Sequence, residues 1–229
     1  MLRFDLQNFF GSVSAGRVFG IFRTCGYPEA VAHVLTGIVT NRVPNHVIAQ
    51  QRVRSETAGP ALRTPHLAQG APTSPALANL AAIGIDRRMS GLAKKYNATY
   101  TRYADDLFIS GGEQLLIRSK SFCALSESVV SDEGFRIHPR KTLLMTNAGR
   151  QHMLGLVVNN QPAVARTEFD NLRATLHNCI RTGPELQVRD QTVDFRSQLL
   201  GRIGWVANTN PQRGARLMAL FRQINWNEV

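Results

Sequence analysis

The stretch TRYADDLFIS, residues 101–110, places two adjacent aspartates between runs of strand-forming residues. Tyr103, Phe108 and Ile109 favour β-structure, whereas aspartate is depleted in strands. The pattern predicts a β-hairpin with strands over residues 99–103 and 107–110 and the acidic pair, Asp105 and Asp106, at the turn. The pair has two interpretations: a solvated turn, where aspartate is common, or a site for divalent metal ions, which requires a further carboxylate from elsewhere in the chain.

A further carboxylate ends the first predicted strand. LRFDL, residues 2–6, has apolar residues at alternate positions, as a half-buried strand does, and Asp5 lies near its end. If this strand neighbours the hairpin in one antiparallel sheet, Asp5, Asp105 and Asp106 converge on one edge. Two magnesium ions would then be held chiefly by Asp5 and Asp105, with the Leu6 carbonyl as a further ligand, in an arrangement suited to in-line phosphoryl transfer. The spacing alone leaves this convergence open.

The rest of the chain predicts a mixed first lobe and a helical second lobe. Helical periodicity covers residues 15–24, 28–41 and 113–131, and a mixed segment, 47–67, contains a turn at Gly59-Pro60 between two possible strands. Strands are expected over residues 142–145 and 153–158. From residue 166 the pattern becomes helical, in about three segments broken at Gly183-Pro184 and Asn210-Pro211.

A long amphipathic helix is expected after the loop GAPTSP. Ser74 is the expected cap and Pro75 the first helical residue. The predicted apolar face consists of Leu77, Leu80, Ile83 and Ile85.

The charge of the chain indicates a polyanionic partner. Net charge is +11, and 23 of the 27 basic residues are arginine, which binds phosphate through two parallel hydrogen bonds. Arginine-rich codon usage is an alternative, but it explains the choice of arginine over lysine and not the scarcity of acidic residues.

Composition also bears on the compartment. No apolar run approaches membrane-spanning length, and the first residues lack the features of an export signal. The three cysteines, Cys25, Cys123 and Cys179, lie far apart, which argues against a disulfide framework or a zinc site. We therefore expect a cytoplasmic protein with no membrane partner.

Five segments occur in a distinctive order: FDLQNFFGSV, QGAPTSPALANL, TRYADDLFIS, GFRIHPRKT and HMLGLVVN. Together they resemble the successive palm motifs of bacterial reverse transcriptases of the type found in retrons, group II introns and phage-defence systems. LLGRIGWVANTNP resembles the thumb helix region of the same group, so the resemblance covers nearly the whole chain. It implies an α+β fold, with a ferredoxin-like polymerase palm (an antiparallel sheet with packed helices) over residues 1–160 and an α-helical thumb over residues 161–229.

The resemblance implies an RNA-directed DNA polymerase that uses two Mg²⁺ ions, or Mn²⁺, to add dNTPs to a 3′-hydroxyl primer. Asp5 and Asp105 match the principal metal ligands, and Asp106 matches the accompanying carboxylate. Lys141 matches a lysine that protonates or neutralises the leaving pyrophosphate.

Other matches concern the incoming nucleotide. Phe10 matches the aromatic steric gate, a ring that leaves no room for a 2′-hydroxyl. Phe9 is expected in the core, because adjacent residues of an extended segment face opposite ways. Gln69 and Gly70 match the loop that lies against nucleotide and template, and the residues expected under the primer terminus and nascent base pair are Tyr103 and Ala104.

The matches to nucleic-acid contacts lie later in the chain. Leu154 and Gly155 resemble the hairpin that grips the primer end. The thumb arginines would contact the duplex backbone; they are Arg166, Arg173, Arg181, Arg189, Arg202, Arg213 and Arg216.

Two departures from the family pattern matter. His138 stands where the family more often has Asn, and we interpret it as a turn residue. Only residues 1–4 precede Asp5, where relatives carry a fingers subdomain. The resemblance implies an RNA template, a DNA or RNA primer and dNTPs as partners. The second departure adds a fingers-bearing chain or segment to the expected partners.

Two other functions stay open. One is a catalytically impaired nucleic-acid-binding or interaction module derived from a reverse transcriptase. The other is an RNA-dependent RNA polymerase, against which Phe10 and Ala104 argue. The motifs do not distinguish retron DNA synthesis, intron mobility, CRISPR-linked acquisition and antiviral defence.

Overall fold

The computed structural model of the protein describes residues 1–44, 46–47, 63–188 and 194–226. The chain forms two compact units, Met1–Leu144 and Met145–Val229. The division expected at residue 160 separates a palm from a thumb by function, and it stays a prediction. The expected Gly59-Pro60 turn and the predicted thumb residue Arg189 lie outside the described residues.

The first unit is built on a four-stranded antiparallel sheet. Its order is β4-β5-β1-β6, with β1 at Leu2–Asp5, β4 at Ala98–Tyr103, β5 at Asp106–Gly111 and β6 at Leu143–Leu144. The predicted hairpin is confirmed, except that Asp106 begins β5 and only Asp105 of the acidic pair lies in the turn. Strand β1 pairs directly with β5, as the convergence of the aspartates requires. A two-stranded antiparallel pair, β2 (Thr40–Asn41) with β3 (His66–Leu67), lies elsewhere in this unit.

Helices of the first unit contribute side chains to the core on one face of this sheet. They are α1 (Ala15–Thr24), α2 (Glu29–Val39), α3 (Ser74–Ala81), α4 (Ile83–Lys95), α5 (Glu113–Ile117) and α6 (Ser119–Asp132). Leu2 and Phe4 of β1, with Leu107 and Ile109 of β5, point into a core that includes Met89 of α4. Because side chains alternate along a strand, Arg3 and Asp5 point to the opposite face.

The long helix expected from Ser74 is wrong in three respects. It is two helices, α3 and α4, that meet at Ala82. Ser74 is a buried helical residue rather than the cap, and its hydroxyl donates to the Ala68 carbonyl at 2.6 Å. Leu77 and Ile85 are buried as predicted, but Leu80 and Ile83 are exposed, and the rest of the buried stripe consists of Ala78, Ala81, Ala82 and Met89.

The second unit combines a small sheet with three helices in the described residues. Strands β7 (His152–Met153), β8 (Leu156–Val157) and β9 (Ala163–Val164) are antiparallel. Helices α7 (Arg166–Thr182), α8 (Phe195–Thr209) and α9 (Pro211–Phe221) follow, with breaks where the sequence predicts them. This unit has its own apolar core, centred on Leu176, Leu199 and Leu217.

All three cysteines are free thiols, as expected. Within the described ranges, we find no helix whose length and apolar character would let it cross a membrane.

Candidate functional site

The sheet register brings the ends of β1 and β5 together. Asp5 is the direct antiparallel partner of Asp106, which in turn pairs with Tyr103 across the hairpin. Directly opposed residues point to the same face of a sheet, so these three side chains share the face away from the core. Asp105 lies in the two-residue turn, and its carbonyl accepts a hydrogen bond from the Leu6 N–H at 2.9 Å.

The backbone also orients the Leu6 carbonyl. Leu6 forms an antiparallel bridge with Ile137, flanked by hydrogen bonds from His138 N–H to the Asp5 carbonyl and from Gln7 N–H to the Arg136 carbonyl. In such a pair the N–H and C=O of the central residue point away from the partner strand. The Leu6 carbonyl therefore faces the side on which the Asp105 turn lies.

Asp5 is held by Lys141. The residue is only 7% exposed, and both its carboxylate oxygens accept from Lys141 Nζ, at 3.1 and 3.0 Å. His138 fixes this pair through the backbone, since its N–H donates to the Asp5 carbonyl and its carbonyl accepts from the Lys141 N–H. This is the turn role expected for His138. Its ring Nδ1 is buried and has no hydrogen-bond partner among the described residues.

Asp106 is held by Arg3 on the same face. Arg3 donates from Nε at 3.0 Å and from an NH2 group at 2.8 Å to one oxygen of Asp106. The guanidinium also lies 5.9 Å from the centroid of the Phe108 ring, at cation–π distance. The cation therefore fixes the second aspartate away from the turn, a contact that the sequence analysis did not predict.

This arrangement disfavours the ionised form of the Asp105 carboxyl group. Burial is the main effect and raises the pKa of its carboxyl group. A backbone hydrogen bond opposes burial, the negative charges of Asp5 and Asp106 raise the pKa further, and the charge of Lys141 lowers it slightly. A third negative charge is therefore unfavourable here unless a cation compensates it.

The donor set fits magnesium, which prefers carboxylate and carbonyl oxygens. Within the part of the chain that the structure describes, however, no three His, Cys, Asp or Glu side chains are grouped so that they could hold a metal ion. In this structure Asp5 is paired with Lys141 and Asp106 with Arg3. Asp5 would have to exchange Lys141 for the metal.

Phe9 and Phe10 follow the acidic strand and separate as predicted, although for another reason. Phe10 begins a short 3₁₀ helix, Phe10–Ser12, after Asn8 with a φ of 45°, so the segment is not extended. Phe9 is buried at 4% exposure and packs on Phe135 at 5.6 Å between ring centroids. Phe10 is half-buried and stacks on Phe9 at 5.5 Å, which leaves part of its ring open to a ligand.

The loop before α3 is exposed where the sequence predicts nucleotide contacts. Gln69 and Gly70 form a turn, and Gly70 has a φ of 91°, a conformation that strongly favours glycine. No described atom of the chain lies within 4 Å of the position where a Cβ on Gly70 would stand. Tyr103, which is 64% exposed, presents its ring beside the turn that carries Asp105.

One buried network was not predicted from the sequence. Arg102 of β4 points to the core face, where Asp86 of α4 accepts from Nε and one NH2 group at 2.7 Å each. Tyr100 donates to the same carboxylate at 2.8 Å. Burial, followed by the charge of Asp86, raises the pKa of Tyr100. The sequence did contain a signal for this network. Strand alternation places Arg102 on the same face as Tyr100, and Asp86 interrupts the apolar stripe of α4.

The second unit contains the other predicted contacts. Leu154 and Gly155 form a two-residue turn between β7 and β8, with φ of 50° and 81°. Positive φ at both positions is typical of a type I′ hairpin, and Leu154 remains 43% exposed at its tip.

The predicted arginines of the second unit differ in how they are held. Arg173 and Arg166 both lie near Asp170, at 3.6 and 3.5 Å. Arg213 stacks on the Phe169 ring at 5.1 Å. Arg202 lines a cavity of about 320 Å³ with Trp205, and Arg181 and Arg216 are exposed.

The sequence is similar to known polymerases over much of its length. The profile of the reverse transcriptase (RNA-dependent DNA polymerase) family matches residues 1–158. The Retron Mx65 reverse transcriptase of Myxococcus xanthus is 35% identical over 95% of this chain and 48% of its own length. The Retron Mx162 enzyme of the same organism is 32% identical over 98% of this chain and 47% of its own length. The Retron Ec86 reverse transcriptase of Escherichia coli is 31% identical over 78% of this chain and 48% of its own length.

The chain spans about half the length of these relatives. Among solved structures, telomerase from Candida albicans in complex with a fragment of telomeric RNA aligns with 95% of this chain and 40% of its own. The TM-score is 0.44 at 12% sequence identity, which is too low to transfer any feature.

Proposed function

This chain belongs to the reverse transcriptase family, and we propose that it carries the catalytic palm and thumb of an RNA-directed DNA polymerase. The single observation that carries the proposal is the pairing of Asp5 with Asp106 beside the Asp105 turn. This pairing sets the Asp5 and Asp106 side chains opposite each other on the face away from the core, with Asp105 in the adjoining turn.

We propose that Asp5, Asp105, Asp106 and the Leu6 carbonyl hold two Mg²⁺ ions, which Mn²⁺ can replace. When bound, the ions would activate the primer hydroxyl and stabilise the leaving pyrophosphate. The crowded negative charge around Asp105 supports this assignment. Lys141, released from Asp5, would supply a positive charge or a proton at the leaving group.

The residues around the acids would select and orient the substrates. Phe10 would lie under the sugar and exclude a 2′-hydroxyl, while Gln69 and Gly70 would contact the nucleotide and template. Tyr103 and Ala104 would support the primer terminus. Tyr103 suits this role because its ring is exposed.

Template and primer would be held largely by the second unit. The Leu154-Gly155 turn would grip the primer end, and the exposed arginines would contact phosphates of the RNA–DNA duplex. Similarity to retron enzymes favours retron DNA synthesis as the setting.

The assay for this proposal is primer extension on an RNA template with Mg²⁺ and dNTPs. We propose that a fingers-bearing segment, in cis or as a second chain, is needed to orient the triphosphate, because Arg3 at the acidic site is held by Asp106 and Lys141 is assigned to the leaving group. Orientation of the triphosphate by such a segment should raise the rate by orders of magnitude. The assay is therefore run with the chain alone and with that segment. Robust synthesis by the chain alone would contradict the requirement for fingers.

Two variants test the site itself. Asp5→Asn should abolish extension with little change in volume, whereas extension at the wild-type rate would contradict the metal assignment. Phe10→Ala should improve ribonucleotide use relative to deoxynucleotide use by roughly two orders of magnitude. Unchanged discrimination would give Phe10 a packing role instead.

A second candidate function is a nucleic-acid-binding module with impaired catalysis. The ion pair between Asp5 and Lys141 favours it, because that pair competes with metal. Duplex binding without extension under every arrangement would support this alternative.

A further inference from the structure

Arg102 is buried directly behind the turn that carries Asp105. Its side chain is only 8% exposed, although it carries a full charge. Two of its donors form the paired contact with Asp86 on α4. The hydrogen bonds that the guanidinium donates to Asp86 raise its pKa, against the effect of burial. A buried, paired arginine of this kind is expensive to desolvate, so its remaining contacts need to be explained.

The remaining donor contacts two parts of the proposed site. One NH1 group donates to the Ala104 carbonyl at 3.0 Å and to the Asn79 side chain of α3, also at 3.0 Å. Ala104 is the residue immediately before Asp105 and has a φ of 50°, a left-handed conformation that is unfavourable for alanine. Arg102 thus fastens the strained residue of the turn to the helix that follows the Gln69-Gly70 loop.

The guanidinium also reaches the aromatic pair. It lies 5.8 Å from the centroid of the Phe9 ring, which stacks on Phe10 at 5.5 Å. The planar guanidinium therefore contacts the turn that carries Asp105, helix α3 and the Phe9 ring against which Phe10 packs. The loop before α3 is itself fixed to the helix, because the Ser74 hydroxyl donates to the Ala68 carbonyl.

We propose that Arg102 is a positioning residue for the nucleotide site. It sets the Asp105 turn in register with Phe10 and with the loop that carries Gln69 and Gly70. This inference rests on the proposed function, since it assigns Arg102 a part in placing the nucleotide that those residues contact. Lysine cannot replace it, because an ammonium group is a point charge and lacks the planar fork that serves Asp86, Asn79 and Ala104 at once.

The test compares Arg102→Lys with Arg88→Lys. Arg88 lies on α4, the helix that carries the Asp86 partner of Arg102. It also pairs with carboxylates, Asp132 at 2.6 Å and Glu133 at 3.2 Å, but not with residues of the turn. Both changes disturb an ion pair between an arginine and a carboxylate, and in each pair one partner lies on α4. Asn79→Ala is added as a mild variant that removes one partner of Arg102 and leaves the ion pair with Asp86.

The measurements are thermal unfolding and steady-state primer extension with the fingers-bearing segment supplied. We expect Arg102→Lys to lower kcat/KM for dNTPs on the order of tenfold to a hundredfold, mainly through KM, and to weaken discrimination against ribonucleotides. Asn79→Ala should shift the same two quantities in the same direction by less. Arg88→Lys should leave both quantities unchanged, whatever its effect on unfolding.

The outcomes separate this inference from the proposed function. If the wild-type protein extends primers and Arg102→Lys and Asn79→Ala match Arg88→Lys in KM and in discrimination, Arg102 is only a structural ion pair. If Arg102→Lys fails to fold, Asn79→Ala decides in the same way. If the wild-type protein extends no primer in any arrangement, the proposed function itself is wrong.

Discussion

At the scale of single residues, Asp105 illustrates how a site can oppose the stability of its own fold. Its raised pKa means that the folded chain favours the protonated carboxyl group. The stability that this group contributes is present below its unfolded pKa and is lost as pH rises through the folded pKa. At neutral pH, in the absence of metal, ionised Asp105 therefore destabilises the chain.

Asp105→Asn should accordingly stabilise the protein in a chelating buffer at neutral pH. The gain over wild type should shrink as pH falls through the raised pKa of the folded state towards the ordinary range of carboxyl groups, because folded wild type then becomes protonated. Thermal unfolding at several pH values, with and without Mg²⁺, measures both effects, and Mg²⁺ should stabilise wild type far more than the variant.

Asp106→Asn is the matched control. It weakens the ion pair with Arg3, so it should lower stability at neutral pH. An equal gain in stability from both substitutions would mean that the charge of Asp105 is not the destabilising group.

Lys141 yields a second expectation at this scale. Because it shares Asp5 with the metal that we propose, Lys141→Met should raise the affinity for Mg²⁺ or Mn²⁺ when no nucleotide is present. The same change should slow extension, since it removes the group proposed at the leaving pyrophosphate. Titration with Mn²⁺ followed by electron paramagnetic resonance measures the first effect without any activity.

The exposed Lys94, at the end of α4, provides the control variant Lys94→Met. A rise in metal affinity for Lys94→Met equal to that for Lys141→Met would indicate a general effect of net charge and not a local exchange.

At the scale of elements, the sequence predicted the features that strong local signals determine. It did not predict the features that tertiary packing determines. The helix over residues 15–24 and the breaks at Gly183 and Asn210 follow from glycine, proline and capping residues, and the structure contains them. The division at Ala82 has no such signal, because IGID continues the helical pattern. Packing decided it, and the buried stripe shifted as a result.

The site shows the same limit. Motif order identified the acids and Phe10, and alternation along the strands placed Asp5 and Asp106 on one face. The cation that holds Asp106 could not be found in this way. Arg3 meets Asp106 from 103 residues away in the chain, so only the fold brings the two together.

Glycines in the helical unit yield a prediction about packing. A Cβ on the buried Gly214 of α9 would lie 2.6 Å from the Cα of Ala207 on α8, which is backbone and cannot move aside. Gly214→Ala should therefore separate the two helices and destabilise the unit by about 1–3 kcal/mol.

Gly204→Ala is the control on α8, where no described atom outside the helix would lie within 4 Å of the new Cβ. It should stabilise the same unit by about 1 kcal/mol, since alanine favours helix over glycine. Denaturant unfolding of both variants checks the sign. Two effects of the same sign would contradict the close approach of α8 and α9.

At the scale of the whole molecule, the net charge of +11 favours binding to nucleic acid, but the arginines in direct contact with phosphates should set how that binding depends on salt. Each phosphate contact releases counterions, so the affinity for an RNA–DNA duplex should fall steeply with salt, by roughly one unit of log–log slope for each contact. The arginines should differ in how much each contributes to this salt dependence. Arg216 is exposed on α9 and available to phosphate, whereas Arg173 is partly compensated by Asp170.

We therefore expect Arg216→Gln to flatten the slope by up to about one unit and to weaken binding uniformly across sequences. Arg173→Gln should flatten it less, because Asp170 already offsets part of its charge. Arg88→Gln, which removes the same net charge from an arginine paired within the first unit, should leave the slope close to that of wild type. Fluorescence anisotropy of a labelled duplex over a series of salt concentrations supplies all three slopes. If Arg88→Gln flattened the slope as much as Arg216→Gln, binding would follow net charge alone and the second unit would not form the duplex-binding surface.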